Sequence, residues 1–307
     1  MRGGRLTFPL VPRRRVHGVS FGTMRSLRRG SGTDIAGSRP YYPGDNMDAI
    51  DWAASARLST ARGQDEFVVR ERFAEEAPKI LIVCYRRPQM AHFAAPLPWL
   101  DKPEAMRHTV ELVLASAGAA GGFVGYLDYA DGEPHWRQPK GERKLIELKD
   151  ERLWSLEYGG PADWLERSFA HLADHRRAVS PGTFVFVISD FVPAVPESVW
   201  LTAMANRWDL VPIVIQDPMW EQSFPDVSRI VVSLRDPGTG RVTPVRLRKD
   251  EARRRKEANE ERVAELLRAF HYLDVDPVLI SSSDRAEILT AFLEWTDLRR
   301  TRRVVGA

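Results

Sequence analysis

The sequence predicts an α/β fold: a mostly parallel sheet with helices on both faces, carrying an N-terminal extension. Three observations predict it. From Lys79 onward, short apolar runs alternate with amphipathic helical stretches, the pattern of parallel strands joined by crossover helices. The run ILIVC (80–84) is continuously apolar and β-branched, as strands buried on both faces are, and TFVFVIS (183–189) reads as a second strand. Each run then gives way at once to polar residues, Tyr85-Arg86-Arg87 in one case and Asp190 in the other. Strand ends of that kind are where open α/β sheets place their chemistry.

The elements follow in chain order. Pro43-Gly44 supplies a turn, after which Asp45 or Asn46 can cap a helix, with Asp48 in its first turn where the dipole favours a carboxylate. On such a helix Met47, Ile50 and Ala54 share one face. Residues 65–73 (DEFVVRERF) read as an edge strand. Strands are predicted over 80–85, 123–130, 183–189, 210–216 and 277–281, and helices over 104–120, 161–178, 196–207, 249–272 and 284–299. Segments 229–234 and 241–247 flank DPGTG, a hairpin signal. The 249–272 helix buries a stripe of Val263, Leu266, Leu267 and Phe270, and its RRRK run is a solvated face. The expected organisation is a basic leader over 1–34, a turn–helix–strand segment over 35–78, and the α/β domain over 79–300.

Composition narrows the function classes. The chain has 307 residues, ample for a sizeable core, and ordinary apolar, charged and aromatic fractions. Its formal charge of +3 conceals an asymmetry. Residues 1–30 hold eight arginines and no acid, so the rest of the chain is net acidic. A basic leader can meet nucleic acid, anionic lipid or the protein's own acidic surface. With only Phe8 and Phe21 interleaved for base stacking, nucleic acid is the unfavoured partner, and a solvated or self-docked arm is expected. The single cysteine, Cys84, excludes an intrachain disulfide and points to a reducing compartment, so a cytoplasmic location is expected. LTFPLVP (6–12) is too short and too proline-broken for a secretory signal. The longest uncharged run, 112–127, carries four glycines and reads as helix end, turn and strand, so no membrane span is expected.

Candidate chemistry is sparse. His171 and His175 stand four apart on a predicted helix, a zinc-compatible spacing, but position 172 is leucine where a metalloprotease has glutamate, and no third ligand is evident. The structural reading of the pair is preferred. No nucleophile elbow, P-loop or dinucleotide fingerprint occurs. The carboxylates Asp45, Asp48, Asp51, Asp65 and Glu66 are dense enough for a metal-dependent nuclease built on Asp45, Asp51 and Glu66 or Glu71, which would require them to converge on one site. Helix capping followed by an exposed face needs the same residues.

The stretch RPYYPGDNMDAIDWAASAR, followed by FVVRERFAEE, resembles the signature of the domain-of-unknown-function 58 proteins. The match runs through Tyr42, Pro43, Gly44 and Asp45, then Ile50, Asp51 and Trp52, then Ala56 and Arg57, then Glu71 and Glu75. The VISDF strand and the QDP after Ile215 extend it over nearly the whole chain. The resemblance implies a von Willebrand A-like, Rossmann-like doubly wound sheet with helices on both faces. It also implies work beside a MoxR-type AAA+ ATPase, as an adaptor or assembly factor for a client protein, and no enzymatic activity of its own.

One departure stands out. Domains of that kind end their first strand in Asp-x-Ser-x-Ser, whose oxygens hold a divalent cation, whereas Tyr85, Arg87 and Gln89 occupy those positions here. Arginine offers five donors and no acceptor, so it cannot ligate a hard cation. Asp190 remains from the constellation. The expectation is therefore a degenerate metal site, with no cofactor, in which Arg87 or Arg86 replaces the cation and pairs with Asp190. The alternative is that both arginines face solvent and Asp190 caps the following turn. Asp45, Asp51, Trp52 and Arg57 are expected to be structural, with the Trp52 indole buried, the alternative being that they present a partner surface.

Overall fold

A computed structural model describes residues 6–13, 24–91, 99–140, 157–227, 229–235 and 241–305. Ten strands and six α-helices are described. Strand β3 (Lys79–Cys84) lies inside a six-stranded sheet, between β6 (Phe184–Ser189) on one side and β4 (Phe123–Asp128) on the other. Beyond β6 come β7 (Asp209–Ile215) and then β10 (Val278–Ile280), all parallel. Beyond β4 the sheet ends in β5 (His135–Lys140), the one antiparallel member. Residues 80–84 and 184–188 are almost wholly inaccessible, which explains why their sequence is unbroken apolar rather than alternating.

Helices flank this sheet. Helix α2 (Lys102–Ala119) is capped by Asp101, whose carboxylate accepts from the Glu104 N–H at 3.0 Å, and it packs against α6 (Arg285–Val305). Helix α3 (Trp164–Asp174) packs against α4 (Glu197–Ala205). The strand order reverses between β3 and β6, so the carboxyl ends of these two strands border the crevice that such a reversal opens. The predicted hairpin is present as β8 (Val231–Arg235) and β9 (Val242–Arg246). It forms a separate two-stranded sheet ahead of the long helix α5 (Lys249–Tyr272).

The N-terminal third departs from expectation in two ways. Residues 24–34, assigned from sequence to the leader, belong to a long strand β1 (Met24–Pro40). It pairs antiparallel with β2 (Val68–Glu76) through several bulges. The predicted helix at 46 is instead a 3-10 turn, Met47–Ala49, with Asn46 accepting from the Asp48 N–H. Helix α1 (Trp52–Arg62) begins only after Asp51, which accepts from the Ala54 N–H at 3.1 Å, so Met47 shares no helical face with Ala54. Farther upstream, Phe8, Leu10 and Val11 are buried. Phe8 stacks on Phe292 at 4.4 Å and donates its N–H to the Ser116 hydroxyl, while Arg299 donates to the Val11 carbonyl.

Candidate functional site

The carboxyl ends of β3, β4 and β6 gather the residues that sequence singled out, but with different partners. Tyr85 continues β3 by donating its N–H to the Ile188 carbonyl, and its ring lies against Trp164 at 4.8 Å. Burial first, then the Asp190 charge, pushes its phenol up to about 12. The next side chain turns inward. Arg86 is fully buried, with Nε 3.8 Å from Asp128 Oδ2 and its guanidinium 5.2 Å from the centre of the Tyr158 ring. Asp128 also accepts from the Tyr126 hydroxyl at 2.8 Å and from the Ala130 N–H. Arg86 therefore neutralises a carboxylate that closes β4. Beside it, burial pushes the Cys84 thiol up to about 12, which leaves it unreactive at neutral pH.

Asp190 is fully buried and has a different cation from the one expected. Lys102, from the first turn of α2 and only 4% exposed, places Nζ 3.2 Å from Asp190 Oδ2 and in direct contact with Glu221 Oε1. Neither Arg86 nor Arg87 makes an ion pair with Asp190. Arg86 is committed to Asp128, and half-buried Arg87 leaves Nε without a hydrogen-bond acceptor, as Gln89 leaves Oε1 without a donor. The remaining acceptors of the lysine cluster are used locally. Val192 donates to Asp190 Oδ1, Asp217 donates its N–H to Glu221 Oε2 at 2.8 Å, and Gln216 donates to the Asp190 carbonyl. Burial raises the Glu221 pKa, and the Lys102 ammonium works against that rise. Immediately after Asp190, Phe191 adopts φ 48°, a left-handed conformation costly for an aromatic residue and held by burial of its ring.

A divalent cation does not fit this arrangement. The position between Asp190 and Glu221 is filled by the Lys102 ammonium, which already neutralises the carboxylates a divalent cation would need. Among the described residues no group of three His, Cys, Asp or Glu is arranged to hold a metal. His171 and His175 stack ring on ring at 4.4 Å, with both rings against Trp136.

The signature residues bind one another. Tyr42 to Asp45 form a turn with Pro43 second and Gly44 third at φ 105°, the type II pattern that only glycine enters freely. Asp45 is held by both terminal nitrogens of Arg39, at 2.5 and 2.6 Å, and accepts from the Tyr42 N–H. Together these hold its pKa down to about 2. Asp51 caps α1 and accepts from Arg70 Nε at 2.8 Å, and this arginine bond is the chief reason its pKa also falls to about 2. Glu66 pairs with Arg62. Each of these three carboxylates has its own arginine. Among the described residues no three acidic or ligating side chains converge as a nuclease needs; the side chain of Glu71 lies outside the described residues. Glu71 and Glu75 lie in β2, opposite Gly37 and Arg25 of β1.

Ile50 is buried and bridges to Val69, whereas Ala56 and Arg57 are exposed. The expected burial of Trp52 is corrected. Because Asp51 is the cap, Trp52 opens the helix on its outer side, 59% exposed, with its ring edge-on to Phe67 at 6.0 Å. Sequence reading missed Lys102, Glu221 and Asp128. One signal was present: a lysine in the first turn of a helix opposes the helix dipole, and a buried one there needs carboxylates.

Fold and site together define a mixed α/β protein with a mostly parallel six-stranded sheet, whose strand ends carry a buried ion-pair cluster. Residues 37–265 match the family described as Protein of unknown function DUF58, and the chain belongs to that family. No curated protein matches it. Among solved structures it is similar to the conserved hypothetical protein BatB of Bacteroides thetaiotaomicron, at 14% identity and a TM-score of 0.41, covering 72% of this chain and 99% of that one. It is also similar to a serine-substituted aerotolerance-related membrane protein of Bacteroides fragilis, at 13% identity and a TM-score of 0.43, covering 72% and 98%. A pilus adhesin, SpaC of Lactobacillus rhamnosus GG, is similar at 8% identity and a TM-score of 0.41, covering 73% of this chain and 31% of the adhesin.

Proposed function

We propose that the chain is a non-enzymatic, cytoplasmic interaction protein with a von Willebrand A-like domain, acting with a MoxR-type AAA+ ATPase on a client protein. The von Willebrand A-like reading is supported by the reversal of strand order at β3 and β6, the doubly wound arrangement. In this reading Lys102 is a built-in cation that keeps the strand-end edge formed without a metal.

The observation that carries the proposal is the surface of the signature segment. Its carboxylates Asp45, Asp51 and Glu66 are spent on internal ion pairs and caps, while Tyr42, Met47, Trp52 and Phe67 stand exposed around one short helix and turn. Aromatic and methionine side chains held on a rigid support are the usual anchors of protein interfaces. The test is affinity capture from the native cell with the full chain as bait, beside a Trp52→Ala/Met47→Ser variant of unchanged thermal midpoint. An AAA+ ATPase is expected with the first and lost, by tenfold or more, with the second. Recovery of the ATPase by both baits, or of nucleic acid alone, overturns the reading.

A further inference from the structure

We infer that the outer side of strands β8 and β9, with the loop leading into α5, forms a docking surface for anionic phospholipid, which would hold the protein against a membrane face. The hairpin has two unlike sides. Its inner side, Val232 and Val245, packs on Phe224, Leu247 and Ala252, a small cluster separate from the main core. Register places Val231 opposite Arg246, and the two-residue period puts Val231, Val242 and Arg246 on the outer side. There Val231 is 64% exposed and Val242 51%, with Ile230 also exposed beside them.

Among the described residues, the charged side chains that line the cavity here are all basic. A cavity of about 500 Å³ is lined by Arg229, Arg246, Leu247, Arg248 and Lys249, with no acidic residue. In the following turns of α5, Arg254 is matched by Asp250, Arg255 by Glu251, Arg253 by Glu257 and Lys256 by Glu260. The four lining cations make no ion pair with any described residue. Unmatched cations call for an anionic partner, and the aliphatic residues between them select its kind. Valine and isoleucine give bases nothing to stack on, whereas they gain by entering the boundary between headgroups and acyl chains. Each arginine or lysine at an anionic bilayer strengthens partitioning about fivefold, an effect screened by salt.

The experiment is co-sedimentation of the full chain with phosphatidylcholine vesicles, with and without phosphatidylglycerol, at low and high salt. Binding is expected only to the anionic vesicles and should fall steeply with salt. Arg246→Glu/Lys249→Glu should weaken it by about twenty-five-fold or more. Val231→Ser/Val242→Ser should weaken it while leaving the salt dependence in place. All four positions are exposed, so an unchanged thermal midpoint certifies the fold of each variant, and the wild-type salt series decides independently of them. Equal binding to neutral vesicles, salt-insensitive binding or no binding overturns the proposal. So does displacement of the protein from vesicles by inorganic phosphate at matched ionic strength, which would assign the cavity to a free anion. Preference for single-stranded DNA through the same arginines would assign it to nucleic acid.

Discussion

Arg86 and Lys102 each bring a buried charge to the same edge of the sheet, and each is there because a carboxylate is already buried. A lone carboxylate in that setting costs several kcal/mol, and an ammonium or guanidinium recovers most of it. Replacing Lys102 by methionine keeps the volume and removes the charge, leaving Asp190 and Glu221 facing each other. The loss expected is about 3–5 kcal/mol, read from urea denaturation at neutral pH, and adding Glu221→Gln to that variant should restore part of it. A Lys102→Met protein as stable as the parent would mean that the cluster is not the tie it looks to be. That a side-chain cation stands at Asp190 was legible, because Tyr85, Arg87 and Gln89 offer neither the carboxylate nor the serine hydroxyls of a cation-binding loop and bring an arginine instead. Which cation was not. Lys102 lies 88 positions from Asp190, and nothing local tells which helix start the crevice will meet.

Elements were legible where burial had written them into composition. β3, β4, β6, β7 and β10 are apolar runs, and α5 begins and ends where its pattern does. β5 escaped because His135–Lys140 has no alternation and contains Pro139. It needs neither, since it pairs only with β4 at an edge where proline is tolerated. β1 escaped because its glycines and arginines match no strand pattern, and its register is carried by bulges. In α1 the misplacement was of a cap. Asp45, Asn46 and Asp51 are all capping residues, and only the tertiary partner Arg70 settles that Asp51 opens the helix.

This segment should respond to acid in a definite sense. Asp45 and Asp51 have pKa values lowered from 3.8 to about 2, so the folded state binds their protons less readily than the unfolded chain does. Their contribution is present above about pH 4 and is lost as pH falls toward 2. Amide exchange at Tyr42 and Ala54, whose N–H groups these carboxylates accept, should quicken in that window relative to the intrinsic rate. Asp51→Asn should abolish the pH step at Ala54 while leaving the one at Tyr42.

At the scale of the whole molecule, the chain closes on itself at the opposite edge of the sheet. Arg299 of α6, almost wholly buried, reaches Asp209 at the start of β7 at 2.9 Å and Asp276 ahead of β10 at 3.3 Å, with its guanidinium 4.3 Å from the centre of the Trp295 ring. The Arg13 N–H donates to the same Asp209 at 2.9 Å, the Thr296 hydroxyl donates to the Pro9 carbonyl, and Phe8 enters between Phe186, Phe292 and Trp295. Sequence showed LTFPLVP only as too short for a signal peptide. A buried strap held by prolines and three aromatic contacts has no periodicity by which to announce itself. Its consequence is that residues 6–13 belong to the stability of the α/β domain itself. Phe8→Ala should cost about 3–5 kcal/mol, and removal of residues 1–13 at least as much, each seen as one cooperative transition at a lower midpoint. The basic leader offers the contrasting expectation, that of an arm which binds elsewhere and leaves the fold indifferent to its loss. A truncated chain melting with the parent would favour that arm, whereas a large downward shift with a retained single transition makes the strap part of the core.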